Sequence, residues 1–132
     1  MTELTPLEKA IMQVESGGDV NAVGDKHLFN KAYGPLQIRK PCVDDVNRVF
    51  DQDYRAEDCK GDLELSIKIF RAYQLIWATP KRIGRAKGIV TDEDRARCWN
   101  GGPRGFMKPS TVGYWGKVSK HLPVEPLAEN NQ

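Results

Sequence analysis

Residues 62–78 read Asp62-Leu63-Glu64-Leu65-Ser66-Ile67-Lys68-Ile69-Phe70-Arg71-Ala72-Tyr73-Gln74-Leu75-Ile76-Trp77-Ala78, and the order of apolar side chains in this stretch decides the fold. Leu63, Leu65, Ile67, Ile69, Phe70, Tyr73, Leu75, Ile76 and Trp77 spread around most of a helical circumference. A helix that is apolar on nearly every side is enclosed by other elements. The spacing therefore predicts a central core helix, with Trp77 inside it, ended by Thr79-Pro80.

Working outward, the flanking segments read as shorter helices that can surround this one. Thr5-Pro6-Leu7-Glu8 has the form of a capping box with proline at the first helical position. Leu7, Ala10, Ile11 and Val14 then share one face, and Gly17-Gly18 stop the helix. Glu15 falls in the last turn, where a carboxylate opposes the negative end of the helix dipole; that placement gains nothing for structure alone. Between Gly18 and Tyr33 the turn-prone Asn21, Gly24, Asp25 and Asn30 suit a short irregular sheet or hairpin. Pro41 can start a second helix through Val43, Val46 and Val49 or Phe50, followed by a polar loop over Asp51–Gly61. Thr91-Asp92-Glu93-Asp94 reads as another capped start, with a helix through Cys98 and a stop at Gly101-Gly102-Pro103. A last helix is expected from about Thr111 to Lys120. The expected class is mainly α (α+β): a buried central helix surrounded by helices, with a small irregular β or loop region. One domain would fill residues 1–132, its core at about 5–120 and a loose tail at 123–132.

Composition removes several classes of function. With 132 residues, 39% hydrophobic and 29% charged, the chain has ordinary globular composition. Its 20 basic and 18 acidic residues leave a net charge of +2, too balanced for an obligate nucleic-acid binder. Lys81, Arg82, Arg85 and Lys87 do concentrate charge; such a run is more often solvated surface than a patch for an anionic polymer. No apolar run approaches the ~20 residues of a membrane span, so no membrane partner is expected. Met1–Pro6 lacks the features of a signal peptide. Cys42, Cys59 and Cys98 show no metal-like spacing, so no metal site is expected; one disulfide with a free thiol, or three buried thiols, remain open. Nucleotide, dinucleotide, zinc-protease and serine-esterase motifs do not occur, and no cofactor is expected.

Four short pieces stand out: Glu15-Ser16-Gly17-Gly18, Gly34-Pro35-Leu36-Gln37-Ile38, Asn100-Gly101-Gly102-Pro103 and Gly113-Tyr114-Trp115. Each alone is an ordinary turn signal. In this order, and after helices of the right kind, they resemble the lysozyme superfamily, most closely the invertebrate-type lysozymes, over about Leu7 to Val118. Glu-Ser-Gly and Asn-Gly-Gly-Pro are also similar to elements of soluble lytic transglycosylases.

The resemblance implies a lysozyme-like fold. It also implies a muramidase that hydrolyses the β-1,4 bond between N-acetylmuramic acid and N-acetylglucosamine in peptidoglycan, a bacteriolytic and antimicrobial activity. Cleaving a glycosidic bond needs a proton on the leaving oxygen while positive charge develops at the sugar carbon. Glu15 is the implied general acid. Asp25, counted back from Gly34, is the implied second carboxylate, with Asp19 or no carboxylate as open alternatives. Tyr33, Gln37, Asn100, Gly101 and Gly102 would contact the sugars, Ser16 would bond near the acid, and Tyr114 would offer a flat face to a sugar ring or pack on the core. Trp115 reads as packing and His27 as an exposed loop residue. Peptidoglycan and proteinaceous lysozyme inhibitors are the implied partners, and the cell wall outside the cytoplasm is the implied place of action.

Three departures bear on this reading. Invertebrate-type lysozymes are cysteine-rich, whereas this chain has three cysteines. Trp99 stands where many members have histidine. Asp25 lies slightly closer to the glutamate than the family's aspartate does. The alternatives are a lytic transglycosylase giving 1,6-anhydro products and a non-catalytic peptidoglycan-binding module.

Overall fold

A computed structural model of the chain describes residues 2–84 and 88–124. Arg85, Lys87 and the tail beyond Val124 lie outside the described residues.

The first helix, α1 (Pro6–Ser16), starts where its capping box predicts. Thr5 Oγ1 accepts from the Glu8 amide at 3.1 Å, and Glu8 Oε1 accepts from the Thr5 amide at 2.9 Å. Gly17 ends it in the left-handed conformation, which glycine adopts without steric cost. Glu8 does more than cap: it is only 4% exposed. Its carboxylate accepts from Arg71 Nε and Nη2, both at 2.7 Å, so a fork-like ion pair ties α1 to the central helix.

The hairpin is minimal. β1 (Val23–Gly24) pairs antiparallel with β2 (Ala32–Tyr33) in the register Val23↔Tyr33 and Gly24↔Ala32. A further bridge between Tyr33 and Ile38 folds the following segment back onto β2. This small sheet carries the loop that holds Asp25.

Helix α2 (Lys40–Phe50) buries Val43 and Val46 but leaves Val49 and Phe50 partly in water, so its inward face ends at Val46. The polar stretch after it contains a 3₁₀ turn, Ala56–Cys59, that buries both of its end residues.

The central helix, α3 (Leu63–Trp77), is capped by Asp62, whose Oδ1 accepts from the Leu65 amide at 2.9 Å. Ile67, Ile69, Phe70 and Tyr73 are buried, and α3 packs on α2 and on α5 (Asp92–Gly101). Each such side chain contributes about 1.5–3 kcal/mol over leaving it in water. The enclosure opens at the last turns, where Leu75 is 70% exposed beside a hollow between α1, α3 and α5. Trp77 is half-buried: its Nε1 donates to Asp45 Oδ2 at 3.0 Å, and the Arg82 guanidinium lies 4.6 Å from its ring.

Thr79-Pro80 ends α3 and also opens a one-turn helix, α4 (Pro80–Ile83), with Thr79 Oγ1 accepting from the Arg82 amide. Proline stops one helix by lacking an amide hydrogen and starts the next where none is needed. Arg82 is engaged structurally, donating to the carbonyls of Trp77 and Pro103. α5 opens on a second capping box, Thr91 with Asp94. Two 3₁₀ turns, Gly105–Met107 and Pro109–Thr111, lead into α6 (Val112–Ser119), which packs on α1 and α5.

All three cysteines are free. Burial pushes the Cys59 thiol up to about 11 and moves Cys42 and Cys98 upward too, so they stay protonated at neutral pH. The core is held by packing.

Candidate active site

The ends of α1 and α5 meet the hairpin across a cleft of about 570 Å³. Glu15 enters it from the last turn of α1, and Trp99, Asn100 and Gly102 from the end of α5. Asp25 enters from the hairpin loop, and Gln37, Ile38 and Arg39 from the segment after β2.

Helix ends place these groups for a reason. A terminal turn projects side chains past the last packed layer, so a residue there can be desolvated without being interior. Glu15 is half-buried, and its carboxyl is held above the usual carboxylate range, chiefly by desolvation. The hydrogen bond from Tyr114 and the charge of Arg39 pull it down; the Asp25 charge pushes it up. Tyr114 OH donates to Glu15 Oε2 at 2.8 Å. Tyr114 itself is pushed well above the phenol range by burial and by the adjacent Glu15 charge, so it remains the donor. Its ring is half-buried against the core, and its polar tip is what reaches the site.

Asp25 takes a left-handed backbone conformation, φ 52°, which aspartate tolerates better than most residues. Its carbonyl accepts from the Leu28 amide at 2.9 Å, so it starts a turn and faces the cleft at once. Its carboxylate forms an ion pair with Arg39 Nη2, while Arg39 Nη1 donates to the Asn30 carbonyl at 2.9 Å. The alternative, Asp19, is committed to a local turn, accepting from the Asn21 amide at 2.9 Å. Asp19 does not line the cleft. His27 is exposed on the hairpin loop, outside it.

Ser16 sits beside the acid, but its hydroxyl serves the backbone. Oγ donates to the Pro35 carbonyl at 2.8 Å and contacts the Met12 carbonyl at 3.2 Å. It fastens the end of α1 to the Gly34–Ile38 segment. Gln37 lines the cleft with φ 55°, its Nε2 donating to the Gly34 carbonyl at 3.0 Å.

The two glycines after Asn100 do different jobs. Gly102 lines the cleft at φ 85°, ψ −167°, a conformation reserved in practice for glycine. Gly101 faces Thr111: a Cβ on it would stand 2.5 Å from Thr111 Cγ2. Gly101 is therefore small for packing, and its carbonyl accepts from Lys108 Nζ. Tyr33 is also outside this cleft; it lines a neighbouring hollow on the hairpin. Trp115 is half-buried against the core.

Trp99 lines the cleft and packs on the central helix. Its ring meets Phe70 at 4.7 Å and Tyr73 at 5.4 Å, both edge-to-face, and Nε1 donates to the Leu36 carbonyl at 3.3 Å. Arg39 was not foreseen among the site residues. The available signal was its position directly after Gly34-Pro35-Leu36-Gln37-Ile38, as a cation near two candidate acids. Among the described residues no group of three or more His, Cys, Asp or Glu side chains converges as a metal site would.

No family model matches the sequence. Two curated relatives do. The lysozyme of Ostrea edulis is 34% identical over 85 residues, 64% of this chain and 56% of the oyster protein. The lysozyme of Magallana gigas is 31% identical over 111 residues, 83% of this chain and 74% of that protein. Among solved structures, Meretrix lusoria lysozyme in complex with Aeromonas hydrophila PliI superposes with a TM-score of 0.72 at 26% identity. That match covers 89% of this chain and 88% of the other. Tapes japonica lysozyme has the same fold, with a TM-score of 0.70 at 23% identity over 89% of each chain.

Proposed function

The chain belongs to the invertebrate-type lysozyme family, and from that premise we propose that it is a bacteriolytic muramidase, with Glu15 as general acid and Asp25 as second carboxylate. The substrate is the β-1,4 bond between N-acetylmuramic acid and N-acetylglucosamine. One observation carries the reading: a desolvated carboxyl, anchored by Tyr114, shares a cleft with a second carboxyl group paired with Arg39.

The two carboxyl groups sit in different surroundings, Glu15 desolvated beside Tyr114 and Asp25 paired with Arg39, as the two roles require. Glu15 keeps its proton because its ionised form is poorly solvated. It gives that proton to the glycosidic oxygen as the bond to the sugar carbon breaks. Asp25, positioned by the Arg39 guanidinium, faces the positive charge that develops and either stabilises it or bonds to it. Glu15, now a carboxylate, then takes a proton from the water that completes hydrolysis. Gln37, Asn100 and the open backbone at Gly102 are the sugar contacts. The place of action is the bacterial wall, outside the cytoplasm. Meretrix lusoria lysozyme is solved with PliI, and an inhibitor protein of that kind is the partner proposed here.

Glu15→Gln keeps shape and removes the proton; it should abolish release of soluble fragments from purified peptidoglycan. Fragment release near the wild-type rate would overturn the assignment. Asp25→Asn should cut hydrolysis at least about a hundredfold, in the range of removing a transition-state charge partner. If that variant keeps its rate and mass spectrometry finds 1,6-anhydro ends, the enzyme is a transglycosylase instead. Wild-type protein that sediments with peptidoglycan but releases nothing would make it a binding module.

A further inference from the structure

Beside the Glu15 cleft lies a smaller hollow of about 230 Å³, lined by Phe29, Lys31 and Tyr33 of the hairpin, Lys40 of α2 and Glu57 of the 3₁₀ turn, with Asn30 between them. Phe29 is 95% exposed, more than any other large apolar side chain among the described residues. A phenyl ring in water contributes nothing to the core, and exposed aromatics beside a groove mark ligand surfaces. The flat π-face of such a ring suits the C–H face of a pyranose.

Charge in the hollow is not balanced. Lys40 is held by Asp44 at 2.8 Å, and Glu57 by Arg55 at 3.2 Å. Lys31 has no such partner among the described residues, so the cation left over is its ammonium. One hydrogen bond links a residue of each hollow. Arg39 lines the cleft and pairs with Asp25 there, and its Nη1 donates to the carbonyl of Asn30, which lines the second hollow.

We propose that this second hollow is a distal subsite for the same glycan strand: a hexosamine ring lies on Phe29 and Tyr33, and the carboxylate of a muramyl substituent pairs with Lys31. The subsite rests on the muramidase reading and adds to it a preference for long, anionic, peptide-bearing strands over short neutral oligomers. It also gives Tyr33 a sugar contact away from the scissile bond.

The test is a titration of Glu15→Gln protein, which binds without cutting, with soluble peptidoglycan strands of about eight sugars and with neutral chitohexaose. In that background Phe29→Ala should weaken the strands about fivefold, the effect of one aromatic face. Lys31→Ala should weaken the anionic strands about threefold at low salt and leave chitohexaose unchanged. Phe29 is outside the core, so its variant should melt with the parent, which separates binding from folding. Unchanged affinity for the strands in either variant would overturn the subsite, as would an equal loss for strands and chitohexaose in Lys31→Ala. Failure of the underlying reading looks different: protein with intact Glu15 that binds strands and releases no fragments overturns the muramidase. Release of fragments with no effect of Phe29→Ala on strand binding overturns only the subsite.

Discussion

Tyr114 and Glu15 are 99 positions apart in the chain, and the phenol of the first donates to Oε2 of the second at 2.8 Å. That bond ties the carboxyl at the end of α1 to α6. The packing of α6 on α1 thus holds the Glu15 carboxyl in place.

Tyr114→Phe removes a bond that favours the ionised form, so the Glu15 carboxyl should rise further. The alkaline limb of the activity profile should move to higher pH, and kcat should fall about tenfold as the carboxyl loses its fixed orientation. KM should change little. A pH series of kcat and kcat/KM on a soluble oligosaccharide checks this; a profile that superposes on the wild type would remove Tyr114 from the acid's environment.

Glu15 should also cost the protein stability at high pH. Its folded-state pKa lies above the unfolded value. Its contribution is therefore complete below the unfolded pKa and is lost as pH rises through the folded one. Glu15→Gln carries no such loss and can still accept from Tyr114. Melting curves of variant and wild type should coincide at about pH 4, and the variant should melt a few degrees higher at about pH 8. A lower Tm for the variant at the higher pH would contradict the desolvation argument.

Glu8 should show the opposite dependence. Burial by itself would raise its carboxyl, but the hydrogen bonds from Arg71 and Thr5 and the Arg71 charge bring it below the usual range. Its contribution is present above the unfolded pKa and disappears as pH falls through the lowered folded value. Glu8→Gln should cost about 2 kcal/mol at neutral pH by urea unfolding, because the partly exposed Arg71 regains water when its partner is lost. The variant should also lose less stability than the wild type on acidification. Parallel curves of stability against pH would show that the pair is not coupled to protonation.

Legibility in the sequence followed the range of the physics. Both capping boxes, the glycine stop at Gly17 and the apolar helix 63–77 are local signals within a few residues, and the elements begin and end close to where those signals lie. The order of the four motifs carried the family and its fold. What was hidden depends on meetings in space. Arg39 reaches Asp25 and Asn30 only because the segment after β2 folds back through the Tyr33–Ile38 bridge. Gly101 is explained by Thr111, ten residues on, and nothing in Asn100-Gly101-Gly102 separates the residue that packs from the one that lines the cleft. Pro80 read as a stop because a one-turn helix has no periodicity to detect. Leu75 and Val49 are apolar yet exposed because composition around a helix does not say which neighbours arrive.

The free thiols of Cys42, Cys59 and Cys98 change what protects this fold. A crosslink works largely by restricting the denatured chain; without one, the unfolded polypeptide keeps its whole conformational freedom, and the folded side must outweigh it by contact alone. Reducing agent then has nothing to cut, so dithiothreitol should leave the melting temperature where it is. Recovery from urea becomes a matter of dilution, with no oxidant to supply and no wrong pairing to undo. Such a fold can be made, stored and rebuilt in surroundings where a cystine-stapled one would come apart.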